Sequence, residues 1–170
     1  MTPPCQTKRD WPRALMMTVL VLAALAPAPA HAADGASCSL SATPLAFGKY
    51  MPSSSSPSDF TATITLSCTA WGATPVQIHG TVALTGTGAA PTRQLTNGAR
   101  RMRYQLYLDP ARTVPWGDGG NGGNTVSISG VVGPTTPIRQ VLTVYGRILA
   151  RQSDTLVGDY TDQVDVVLNY

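Results

Sequence analysis

The sequence predicts an all-β sandwich, and three observations carry that prediction. Apolar and polar residues alternate with period two in several short runs after Cys38. Segments rich in Gly, Pro, Ser and Thr separate those runs, and no stretch shows a 3.6-residue apolar period. Glutamate is absent while threonine, valine and glycine are abundant, a composition that starves helices and suits strands.

The first segment is set apart from the fold. Lys8, Arg9 and Arg13 form a basic region, Ala14 to Leu25 is a short apolar core, and Ala30-His31-Ala32 is a small-x-small cleavage site. Residues 1–32 read as a secretory signal peptide. The apolar run is shorter than the roughly 20 residues a membrane span requires, and no later stretch is long enough. Cleavage after Ala32 leaves residues 33–170 as one domain, and no membrane span is expected after it. Of 12 basic and 9 acidic residues, the signal removes Lys8, Arg9, Arg13 and Asp10, so the exported chain is nearly balanced. Arg100, Arg101 and Arg103 form its basic cluster, without the aromatic platform of a single-strand binder, and read as a solvated strand face. A nucleic-acid partner is not expected.

Cys5 leaves with the signal, so Cys38 and Cys68 remain. Two cysteines in an exported chain most simply form one disulfide. Closing that loop contributes about 3–4 kcal/mol in the chain-entropy description. Metal binding is not expected, because zinc requires three or four ligands and only these sulfurs and His79 are on offer.

The strands follow in order. Phe60 to Cys68 places Phe60, Ala62, Ile64, Leu66 and Cys68 on one face and hydroxyl side chains on the other. The stretch "PVQIHGTVAL" supplies Val76, Ile78, Val82 and Leu84. In "RMRYQLYLD", Met102, Tyr104, Leu106 and Leu108 alternate against Arg101, Arg103, Gln105 and Tyr107. Val126 and Ile128 mark a short strand, and Gln140 to Ala150 a longer one with apolar residues on both faces. The last strand runs from Tyr160 to Tyr170, with clear alternation from Val164. Between them lie "PSSSSPSD", "TGTGAAPT", "DPARTVPWGDGGNGGN" and "GVVGPTTP", which read as surface loops.

Motifs for chemistry are few, and no enzyme is expected. "GGNGGNTV" resembles one copy of a calcium-binding β-roll repeat, but that device works only as stacked copies, so a glycine-rich hairpin loop is the reading. It is no phosphate loop, since no Gly-Lys-Ser/Thr follows. His79 reads as a packed or edge histidine rather than a catalytic base. Asp162 and Asp165 have opposite parity and cannot form a catalytic pair on one strand face. Trp71 and Trp116 each read as either a core plug or an exposed contact residue, with Trp116 and Asp118 in a candidate contact loop.

Cys38 followed by "LAFGKY", the second cysteine in "ITLSCT", then "YQLYLDPARTVPWGDG" and "VGDYTDQVDVVLNY", resemble the spore coat protein U family, which includes the Csu-type pilins of archaic chaperone-usher fimbriae. The resemblance spans roughly Cys38 to Tyr170. It implies an incomplete immunoglobulin-like sandwich exported to the periplasm, bound there by a periplasmic chaperone and passed through an outer-membrane usher to a surface fimbria. Such domains lack their seventh strand, which the chaperone and then a neighbouring pilin subunit supply by strand addition. On this resemblance Val164, Val166, Leu168 and Tyr170 line or flank the groove, and the chaperone's basic residues anchor the terminal carboxylate.

The other end departs from the family pattern. A donor segment needs about ten extended residues with alternating apolar side chains, whereas only "ADGAS" precedes Cys38 after cleavage, and the prolines of "APAPAH" do not pair in a ladder. The expected function is therefore a structural fimbrial subunit that accepts a strand without giving one, at the tip or as a minor subunit, with adhesion and biofilm formation through loops such as 114–124. A self-contained secreted coat or matrix protein is the second reading, and a carbohydrate-binding module using Trp71 and Trp116 the third.

Overall fold

A computed structural model describes residues 34–86, 90, 92–120 and 123–170. The signal-peptide reading and Cys5 lie outside the described residues. Eight strands form within them: β1 (Gly35–Ala42), β2 (Ser58–Trp71), β3 (Val76–Gly86), β4 (Gln94–Asn97), β5 (Arg100–Tyr107), β6 (Val126–Val132), β7 (Ile138–Ile148) and β8 (Val164–Asn169). No helix is found among the described residues.

The strands make two sheets, one ordered β1-β2-β7-β5-β4 and the other β6-β3-β8, with every pairing antiparallel. The fold is thus an all-β sandwich of the immunoglobulin-like kind. Its longest ladder joins β2 to β7, from Ser58↔Ile148 to Cys68↔Ile138. The alternation of β2 is expressed directly: Ala62, Ile64, Leu66 and Cys68 are buried while Thr61 and Thr69 are exposed. The ambiguous strand resolves the same way, with Val144 and Ile148 facing the core and Val141 exposed on the outside. Ile78, Val82 and Leu84 of β3 and Ile128 and Val132 of β6 meet them from the second sheet.

Cys38 and Cys68 are direct register partners with α-carbons 4.0 Å apart, and they form the disulfide. The bond thus pins β1 to β2 within one sheet. β1 and β4 go beyond the sequence reading. β1 is built from small residues and β4 has only 4 residues, so neither carries a strong alternation of large apolar side chains. Arg101 and Arg103 are exposed, as expected of a solvated face. His79 is not packed, and it lies at a local edge, since β3 pairs there with Ser129 of β6 while the β8 ladder begins only at Thr81. It is exposed because its odd parity turns it away from the buried Ile78.

Candidate functional site

The ladder between β3 and β8 runs from Gly86↔Val164 to Thr81↔Asn169 and leaves β8 as the last strand of its sheet. Val164, Val166 and Leu168 point toward the core and pack on it, yet each is only half-buried. β1 is likewise the last strand of the other sheet. Its inward residues Ala36, Cys38 and Leu40 also pack on the core and are also half-buried. Two outermost strands therefore face each other across a seam in which core side chains are incompletely covered.

The backbone of β1 presents itself to this seam. The Cys38 amide donates to the Tyr170 hydroxyl at 3.1 Å, so it points away from β2. In an antiparallel strand the N–H and C=O of one residue point the same way and alternate along the chain. Ala36, Leu40 and Ala42 thus direct their peptide groups to the same side as Cys38.

Beyond Ala42 the seam widens into a groove of about 550 Å³. Its floor is the inner faces of β2, β7 and β5 at Ala62, Ile64, Val144 and Leu106, and its walls include Leu45 and Phe47 on one side and Asp162, Val164 and Val166 on the other. The segment after β1 is held by aromatic packing: Phe47 meets Phe60 and Tyr104 edge-on, with centroids 5.7 and 5.5 Å apart. Gly146 makes room for it, because a β-carbon there would run into Leu45 and Phe47. A second cleft of about 910 Å³, between residues 45–52 and 155–162, adjoins the groove at Leu45, Phe47, Leu95 and Asp162. Met51, Leu156 and Val157 stand exposed along it.

One polar cluster interrupts the apolar lining. The Tyr104 hydroxyl donates to Asp162 Oδ2 at 2.6 Å, while Asp162 Oδ1 accepts from the Gln163 amide at 2.9 Å. Burial, reinforced by the Asp162 carboxylate, pushes the Tyr104 hydroxyl well above the ordinary tyrosine range. Thr161, next to Asp162, exchanges both backbone hydrogen bonds with Thr96 of β4, which fixes the approach to β8. Arg93 is buried nearby; its Nη2 donates to the Leu84 carbonyl at 2.9 Å, and its Nε and Nη1 find no acceptor.

The candidate contact loop requires correction. Trp116 is fully buried, and its Nε1 donates to the Val82 carbonyl at 3.1 Å. The cause lies in the preceding turn. Asp109 accepts hydrogen bonds from the Thr113 and Val114 amides, Arg112 takes a left-handed conformation, and the chain returns beside β5 through Leu108 N–H to Val114 and Trp116 N–H to Leu106. That hairpin drives the indole between the sheets. Asp118 remains exposed and accepts from the Gly120 amide. Trp71 is 51 % exposed but Trp116 is buried, so the two do not form a shared sugar platform.

Of the residues read from the sequence, the structure brings Val164, Val166, Leu168 and Tyr170 to the seam. Leu45, Phe47, Tyr104 and Asp162 were missed as site residues. The alternation of Leu45 and Phe47 within "LAFGKY" was the available signal; for Arg93 there was none.

A Spore Coat Protein U domain family matches residues 24–167. The chain belongs to that family. Spore Coat Protein U domains are associated with subunits of chaperone-usher fimbriae, a structural pilin type linked to surface fimbriae and spore coats. No curated protein matches the chain. In this Spore Coat Protein U domain, the seam combines outward-facing backbone groups of an outer strand with incompletely covered apolar side chains. Among the described residues, no group of three or more His, Cys, Asp and Glu is arranged to hold a metal ion, and no helix is long and apolar enough to cross a membrane.

Proposed function

We propose that this domain is an exported fimbrial subunit that accepts a donated strand in the seam between β1 and β8, first from a periplasmic chaperone and then from a neighbouring subunit after passage through an outer-membrane usher. The observation that carries the reading is the half-burial of inward side chains on both sides of one seam, Ala36, Cys38 and Leu40 against Val164, Val166 and Leu168. An apolar side chain aimed at a core but left half-wet forfeits part of its burial energy, about 1.5–3 kcal/mol for each large residue when complete. An added strand restores that burial and satisfies the outer backbone groups together.

The reading extends to position in the fibre. Residues from Gly35 onward are engaged in β1, paired with β2 along its whole length. Asp34 is held in turn by the Ala73 amide and the Thr74 hydroxyl. With cleavage after Ala32, little chain is left to donate, so the subunit sits at an end of the fibre, as a tip or minor component that contributes to adhesion and biofilm formation.

The test is periplasmic expression of the protein alone and beside a chaperone of this system, followed by size-exclusion chromatography and limited proteolysis. A soluble one-to-one complex that is markedly more resistant to protease than the lone protein supports the acceptor reading. A protease-resistant monomer indifferent to the chaperone replaces it with a self-contained secreted coat or matrix protein.

A further inference from the structure

The hydrogen bond between the Cys38 amide and the Tyr170 hydroxyl joins the two strands that flank the seam, one from each sheet. The acceptor is a side chain, and it takes the place that the carbonyl of an added strand would take beside β1. Two features make this a built contact. Gly80 has no side chain where a β-carbon would lie 2.9 Å from Tyr170 Cβ and against the Asn169 carbonyl, so the backbone after β8 settles directly on β3. The disulfide fixes Cys38 to Cys68, so the amide that Tyr170 meets is held in place. Tyr170 as a whole is 58 % exposed, so little packing opposes its departure.

We propose that Tyr170 is a latch that closes the disulfide end of the seam while no strand is present, and that strand insertion proceeds by displacing it. The inference rests on the acceptor reading of the seam and adds a regulatory element to it. The latch shields one outward amide of β1 in the free domain, slows uptake of unsuitable strands, and releases when a donor carbonyl replaces the hydroxyl oxygen on Cys38. It stabilises the free domain and not the filled one, so its removal speeds uptake and leaves the filled complex as stable as before.

The test compares the wild-type protein with Tyr170→Phe, which keeps the ring and loses the acceptor. Uptake of a synthetic lysine-flanked peptide of alternating valine and threonine is followed by fluorescence anisotropy, and exchange of the Cys38 amide by NMR. The expected result is about fivefold faster uptake and a comparable loss of Cys38 protection in the variant, the weight of one ordinary hydrogen bond. In the wild type, the labelled Tyr170 ring resonance moves to a solvent-exposed position as the peptide inserts. Insertion at equal rates in both proteins, with Cys38 equally protected and the Tyr170 resonance unmoved, overturns the latch and leaves the acceptor reading standing. Insertion into neither protein overturns both.

Discussion

Tyr104 on β5 and Asp162, two residues ahead of β8, share a hydrogen bond of 2.6 Å at the rim of the groove. This bond ties the five-stranded sheet to the segment that delivers β8 to the other sheet. Replacing Tyr104 by Phe keeps the ring against Phe47 and removes the donor. The expected cost is about 1–2 kcal/mol in urea unfolding, since a partly buried carboxylate loses one of its hydrogen-bond donors. A variant as stable as the wild type contradicts the assignment.

The same pair predicts alkaline weakness. The folded protein holds the Tyr104 proton more tightly than the unfolded chain, because burial and Asp162 both disfavour the phenolate. Stability is therefore fully present below the unfolded value near 10 and falls as pH rises beyond it toward the folded value. Thermal melting across that range shows the decline, and Tyr104→Phe flattens it.

An acid counterpart centres on Asp59. The Arg147 guanidinium binds both its oxygens, at 2.6 and 2.7 Å, and lowers its carboxyl below the ordinary range, with Arg112 at 3.3 Å adding to the attraction. A lowered carboxyl contributes stability that is present above the unfolded value near 4 and is lost as pH falls through the folded value. The site is partly exposed, so screening limits the effect to about 0.5–1 kcal/mol. Asp59→Asn is expected to lower stability at neutral pH by that amount and to leave it unchanged at acid pH, where Asp59 is already protonated, measured by urea unfolding followed by circular dichroism.

Trp116 and Trp71 are expected to differ sharply in solution. Acrylamide should quench Trp71 and spare Trp116, which has no exposed surface. Trp116→Ala removes a buried indole and its bond to Val82, at a cost of about 3–5 kcal/mol. Equal quenching of both residues would place the hairpin after Asp109 outside the core.

Breaking the Cys38–Cys68 bond by paired serine substitution should cost about 3–4 kcal/mol, chiefly through the freed unfolded chain. It should also loosen β1 from β2 first, visible as early exchange of the Ser39 and Ser41 amides.

How far the fold could be read before the structure depended on side-chain contrast. β2 alternates large apolar residues with threonines, so its inward face was plain from Phe60 to Cys68. β1 alternates Ala36, Cys38, Leu40 and Ala42 with serines, a contrast too small to separate a strand from a loop, and only its pairing with β2 defines it. Val164, Val166 and Leu168 were legible as one face of a strand, but their half-burial depends on what lies opposite, which no local pattern encodes. Trp116 illustrates the converse. A tryptophan among glycines reads equally as a core plug or an exposed contact, while the Asp109 turn that decides it acts through backbone hydrogen bonds four and five residues downstream. The polar cluster of Arg93, Tyr104 and Asp162 joins three separate segments and could not be assembled from any one of them.

The most direct test of the seam is amide hydrogen exchange of the protein alone and in complex with its chaperone. Strand addition predicts that Leu40 and Ala42 of β1 and the outer amides of β8 exchange quickly in the lone protein and become protected on binding, while the β2–β7 ladder stays unchanged. If those amides are already protected in the lone protein, or if new protection appears on β4 or β6 instead, the seam between β1 and β8 is not where the partner strand is received.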